Sequence, residues 1–120
     1  MTSQQDQWFS SSDEGHLSVD VFRDGGELVV RSLLAGVNPE DLDVSVHGDL
    51  LTIRGTRKSE KTVSEDQWYS RECYWGSFSR SIVLPYEVDS DHVSASLKHG
   101  VLEIRIPIQK EKKSVEVRWE

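Results

Sequence analysis

Apolar side chains recur at every second position along much of this chain, and the clearest run is Val93 to Pro107. Val93, Ala95 and Leu97 point one way, with Ser94, Ser96 and Lys98 between them. Leu102, Ile104 and Ile106 then share a face, and Glu103 and Arg105 take the other. Side chains of a strand alternate between faces, so the pattern predicts two antiparallel strands with one face buried. Gly100 supplies the positive φ that a tight reversal needs, and Pro107, lacking an N–H for the ladder, ends the second strand.

The same period predicts the rest. Leu17, Val19 and Val21 alternate with Ser18, Asp20 and Phe22 as a first strand, and Asp24-Gly25-Gly26 turns the chain. Glu27 to Leu34 is a second strand; Val29, Val30, Leu33 and Leu34 make it too apolar to assign one wet face. Ala35 to Asp41 breaks the pattern, with Asn38 before Pro39 favouring an extended or turn conformation. Leu42, Val44 and Val46 mark a third strand, Gly48-Asp49 a turn, and Leu51 and Ile53 a fourth strand ending near Gly55. Residues 56–70 are a charged stretch with no internal Gly or Pro, longer than a hairpin needs and with room for a short edge strand near Gln67 to Ser70. Arg71 to Leu84 resumes the strand pattern until Pro85 stops it, and Tyr86 to His92 is an acidic connection. Apolar spacing of three and four is never sustained, so no helix longer than a turn is expected. Many short strands separated by turns predict an all-β sandwich.

Composition narrows the function classes. With 14 basic and 21 acidic residues the net charge is −7, a poor match for a phosphate backbone or an anionic membrane, so neither nucleic acid nor membrane is expected as a partner. No run approaches a membrane span, and Met-Thr-Ser-Gln-Gln-Asp-Gln lacks the positive leader and apolar core of a secretion signal. The lone cysteine, Cys73, cannot pair within the chain, which fits a reducing, cytoplasmic setting. Hydrophobic residues at 36% suit a thin two-layer fold rather than one large core.

Candidate chemistry is sparse. Asp89, Asp91 and His92 are the nearest thing to a catalytic cluster, but Asp in a connection is more often turn chemistry. His16, His47 and His99 show no ligand spacing, Cys73 has no base beside it in sequence, and no glycine-rich phosphate loop is present. No cofactor and no catalysis are expected. Residues 1–16 read as a short flexible arm in which Trp8 and Phe9 are the apolar pair, residues 17–108 as the folded domain, and residues 109–120 as a charged linker and tail.

Four ordered motifs carry a resemblance. Leu34-Ala35-Gly36-Val37, Leu51-Thr52-Ile53-Arg54-Gly55, the run Gly76 to Pro85 (Gly-x-Phe-x-Arg-x-x-x-Leu-Pro) and Ala95 to Leu102 (Ala-x-Leu-x-x-Gly-Val-Leu) are similar to signatures of the small heat-shock proteins of bacterial and plant type, the alpha-crystallin-domain family. Ala35 stands where that family usually has proline. The resemblance implies an immunoglobulin-like sandwich that dimerises, assembles further through its tail, and holds partly unfolded client proteins without ATP. It further implies that the long loop carries a strand swapped onto the partner's sheet.

Site residues follow from the same resemblance. Arg80, on the face of Phe78, Ile82 and Leu84, either supports the dimer interface or simply snorkels or pairs internally. Trp68, Tyr69 and Glu72 are assigned to that interface, and Trp8 and Phe9 to client or self-association contacts. Val115-Glu116-Val117 resembles the family's Ile-x-Ile tail motif, whose side chains enter a groove lined here by Val44, Val46, Val93, Ala95 and Leu97; the plainer reading is a frayed end or simple strand pairing within the subunit. The alternative function is a β-sandwich co-chaperone or adaptor that binds a folded partner.

Overall fold

Among the described residues eight strands form, seven of them where side-chain alternation and a turn signal coincide; the other, Gly15–His16, lies at the end of the stretch read from sequence as the arm. In the computed structural model, residues 15–108 and 116–119 are described. The strands are β1 (Gly15–His16), β2 (Val19–Asp24), β3 (Glu27–Leu33), β4 (Leu42–His47), β5 (Leu50–Arg57), β6 (Gly76–Val83), β7 (Ser94–Lys98) and β8 (Val101–Pro107). They make two four-stranded sheets, ordered β1-β6-β5-β4 and β2-β3-β8-β7, so the expected all-β sandwich is the fold. The ladders are antiparallel except β1 on β6, which is parallel.

The hairpin of β7 and β8 turns at His99 (φ 53) and Gly100 (φ 75). Two successive positive φ values suit the twist of the flanking strands. The Gly100 carbonyl also accepts from the Leu34 amide at 2.6 Å, tying this turn to the end of β3. Val30 and Ile104 meet in register at the centre of the second sheet, with Leu102 and Ile106 on the same face. Opposite them stand Leu51, Ile53 and Phe78 of the first sheet, and all seven are buried in one apolar cluster. Each such side chain contributes about 1.5–3 kcal/mol by leaving water.

Sequence expectation and structure differ in instructive places. The inner face of the second strand (Leu28, Val30 and Ser32) is buried, while on its outer face Arg31 and Leu33 are exposed and only Val29, 0% exposed, is covered. Val29 lies in register between Phe22 of β2 and Arg105 of β8. Arg105 reaches Glu27 at 3.0 Å, Glu103 at 3.2 Å and Asp24 at 3.3 Å, and Glu103 also faces Arg31 at 3.8 Å. These carboxylates, Glu27 first, raise the Arg105 guanidinium above its ordinary value. A lattice of ion pairs thus roofs an apolar side chain on the outer face.

The strand expected over Arg71 to Leu84 forms only from Gly76 to Val83. Gly76 has φ +141, a conformation that L side chains rarely adopt, and it separates the strand from the preceding loop. The fourth strand runs two residues past Gly55, to Arg57. Residues 58–75 then form the long loop, with a single 3-10 turn at Glu65–Gln67. In the single chain Gln67 to Ser70 carry no strand, because a lone extended segment has no neighbouring ladder to satisfy its backbone groups.

Candidate functional site

The two sheets do not close on each other at their rims. On one side β4 and β7 are both edge strands, and between them runs an apolar groove. It is lined by Pro39, Leu42, Val44, Ala95, Leu97 and Leu102, with a volume of about 260 Å³. Three of the five residues expected in a tail groove, Val44, Ala95 and Leu97, are therefore brought together across 50 positions of sequence. The other two, Val46 and Val93, are half-buried and pack against the core beside it. The groove exists because β7 is short and carries small residues: its Ala95 does not reach far enough to close the gap.

On the opposite side β2 is a free edge among the described residues. Val21 is 43% exposed and Phe22 40%, although one faces inward and the other outward. Unpaired backbone flanked by exposed apolar side chains on both faces is a ready surface for another strand. Arg80 lies on the inner face of β6, half-buried, and its Nη1 donates to the Leu17 carbonyl at 3.0 Å. In the single chain the internal pairing considered for this arginine is thus the one formed. Ser32, the buried polar residue of β3, donates from its hydroxyl to the Ser18 carbonyl at 2.8 Å. Leu17 and Ser18 are held by one sheet each as the chain crosses between them.

The long loop leaves and re-enters at pinned points. Lys58 pairs with Asp41 at 2.8 Å, and this hydrogen bond raises the Lys58 ammonium above its ordinary value. Arg57 donates from Nε to the Ala35 carbonyl at 2.8 Å and from Nη1 to the Tyr74 carbonyl at 3.4 Å. Further out, the Arg71 guanidinium stacks 4.4 Å from the Trp68 ring centroid and bonds Glu65 at 3.3 Å. Tyr69 is fully exposed at the surface of the loop, and Glu72 accepts from the Ser70 hydroxyl. Cys73 is free and exposed on the same loop. In the tail, Val117 is exposed; Val115, like Trp8 and Phe9, lies outside the described residues.

The Asp89 cluster is a turn. Asp89 accepts from the Asp91 amide at 3.0 Å through Oδ1 and meets His92 Nδ1 at 2.8 Å through Oδ2, capping the 3-10 turn Ser90–His92. The Asp91 amide first, then His92, hold its carboxyl below the usual range. A depressed carboxyl contributes stability above its unfolded value, and that contribution is lost as pH falls through its folded value. Asp89→Ala should therefore lower the melting temperature at neutral pH more than in acid, in a calorimetric series across that range. Among the described residues no three His, Cys, Asp or Glu side chains stand together as a metal site, and no helix is long and apolar enough to cross a membrane.

Sequence reasoning missed Gly15 and Arg57, which meet Tyr74 at the neck of the loop; Tyr74 itself stood out in the sequence only as an aromatic for an interface or for packing against the loop. The available signal was the inward position of Arg57 on β5, a charged residue where the alternation calls for an apolar one.

Comparison with known proteins places these features in context. The chain is 33% identical over 99 residues to small heat shock protein C4 of Rickettsia felis, covering 82% of this chain and 61% of that protein. It thus spans about three fifths of the length of that curated relative. Its fold matches heat shock protein 16.0 of Schizosaccharomyces pombe with a TM-score of 0.72 at 30% identity, over 88% of this chain and 100% of that one. A small heat-shock protein of Xylella fastidiosa matches with a TM-score of 0.70 at 31% identity, over 87% and 95% of the two chains. The profile of the Hsp20/alpha crystallin family matches residues 20–118, a span that takes in both rims, the loop and the turn motifs, and the chain belongs to that family.

Proposed function

We propose that this chain is an ATP-independent holdase that binds partly unfolded proteins and keeps them from aggregating. One observation carries the reading: in a member of this family, inward-facing Val44, Ala95 and Leu97 are left open between two edge strands. Unfolding proteins expose apolar strips, and an extended segment lies readily along such a rim. Binding draws non-native chains away from one another by mass action, with no nucleotide required. The net charge of −7 keeps such complexes soluble and disfavours nucleic acid and membrane surfaces as partners. The exposed thiol of Cys73 fits a reducing, cytoplasmic setting. Membership of a chaperone family, together with turn chemistry at Asp89, supports a role without catalysis and without a cofactor. That membership does not favour an adaptor for a folded partner.

The holdase works as a homodimer or a larger homo-oligomer. The long loop of one copy, with Trp68, Tyr69 and Glu72, supplies a strand to the free β2 edge of the other, beside Arg80. Val115 and Val117 of the tail enter the groove of a neighbouring copy, and Trp8 and Phe9 of the arm add apolar contacts to clients. The Xylella fastidiosa relative has a distinct high order structure, which supports assembly beyond the dimer. Deleting residues 115–120 should reduce the mass of assemblies larger than dimers, as should Ala95→Asp, which places a charge in the groove. Light scattering coupled to size exclusion checks both, and unchanged masses would remove the tail from the reading.

The function itself is tested by heating a labile enzyme with this protein and following turbidity without ATP. Turbidity should fall as the chaperone is raised towards equimolar ratio. A trace matching that of an inert control protein would defeat the proposal.

A further inference from the structure

The neck of the long loop joins three segments. Arg57 ends β5 and Tyr74 lies two residues before β6, so they mark where the chain leaves the sandwich and where it returns. Arg57 binds the carbonyls of both Tyr74 and Ala35. The Tyr74 side chain does not follow the loop outward. It folds back so that its hydroxyl donates to the Ser77 carbonyl.

Two glycines make that fold possible. At Gly76 a Cβ would lie 2.9 Å from the Tyr74 hydroxyl, and at Gly15 a Cβ would lie 2.7 Å from the ring carbon Cε2. Real Cβ atoms do not approach that closely, so the ring rests directly on the backbone of β1. The strand beneath it is weak on its own. β1 has two residues, paired in parallel as Gly15 with Phe78 and His16 with Ser79. Parallel ladders are slightly less stable per residue than antiparallel ones, and so short a strand does not hold by itself. Downstream, Leu17 is buried and its carbonyl is fixed by Arg80, while Ser18 is fixed by Ser32. Upstream of Leu17, the Tyr74 ring covers Gly15 of β1.

We propose that Tyr74 is a positioning residue that couples the N-terminal segment to the long loop. While its ring lies on Gly15, β1 stays on β6 and the arm leaves the domain at the loop neck. When the loop is drawn away from the sandwich, Tyr74 goes with it and β1 detaches, adding its residues to the N-terminal segment that carries Trp8 and Phe9. Coupling between two sites is reciprocal, so displacing β1 must loosen the loop by the same factor. This device lies within one subunit and stands apart from the holdase reading: it predicts local opening, whatever the chain binds.

Hydrogen–deuterium exchange on the full chain, at a protein concentration where the oligomeric mass has been measured, tests it. Tyr74→Ala should speed exchange of the amides at residues 15–18 about tenfold, the change expected on losing one contact of ordinary strength. Tyr74→Phe keeps the ring and should return most of that protection. Gly15→Ala pushes the ring aside from the other end and should speed exchange across residues 58–75, far along the sequence from the substitution. In the unaltered protein, the two segments should share one dependence on denaturant, below that of β3 and β8. Unchanged exchange at 15–18 in Tyr74→Ala would overturn the coupling. So would a Gly15→Ala effect confined to its own segment, or different denaturant dependences in the unaltered chain.

Discussion

Phe78→Ala is expected to cost about 3–5 kcal/mol of folding free energy, lowering the melting temperature by more than about 10 °C. The ring is 3% exposed and projects inward from the third residue of β6. Its neighbours cannot collapse into the space it leaves. Gly55, directly across the ladder, has no side chain, and a Cβ there would lie 2.7 Å from the ring and 2.8 Å from the Asp41 carbonyl. The Arg57 guanidinium, 5.9 Å from the ring centroid, would lose its aromatic face as well. Phe78→Leu should recover about half of the loss by filling part of the void. Chemical denaturation of the three proteins checks the series; a loss below about 1 kcal/mol for alanine would mean that the site is not tightly packed.

Arg80 carries the second large effect, and it has two parts. The guanidinium faces inward, and its Nη1 bond to Leu17 anchors the chain where it passes from one sheet to the other. Hydrogen bonds from charged groups are worth about 1.5–3 kcal/mol, and Arg80→Ala also leaves the Leu17 carbonyl without this donor. A loss of that size is expected on thermal unfolding even for an isolated subunit. The proposed pairing of the loop with β2 brings a second subunit to this same rim, so the variant should also shift the mass at low concentration from two chains towards one. Arg80→Lys separates the parts: the charge remains but the planar fork does not, so stability should be partly restored and pairing should not. If the alanine variant melts lower yet keeps its mass, Arg80 serves its own subunit alone.

The sandwich was largely legible in the sequence because an alternation of period two needs no knowledge of partners. Leu102, Ile104 and Ile106 had one possible face, and so did Leu51 and Ile53. The loop was less legible for the same physical reason. Arg71 to Trp75 run without a break into the strand that follows, but strand formation begins only at Gly76, whose φ only the structure reveals. Gln67 to Ser70 need a neighbouring ladder, and among the described residues they pair with none. The groove followed from the family resemblance, with Val44, Ala95 and Leu97 inward by pattern, and geometry added that it stays open among the described residues. The neck around Tyr74 was not legible, because an aromatic ring lying on a glycine backbone leaves no periodic trace.

The lattice of ion pairs over Val29 bears on how this fold responds to warming. Removing ionic groups from water becomes less costly as temperature climbs, since their hydration carries a strongly negative entropy, whereas the gain from apolar burial levels off. A roof of guanidinium and carboxylate groups around Arg105 should therefore hold its grip under conditions that loosen ordinary cores, and molar salt, by screening it, should erode that advantage most in the hottest samples.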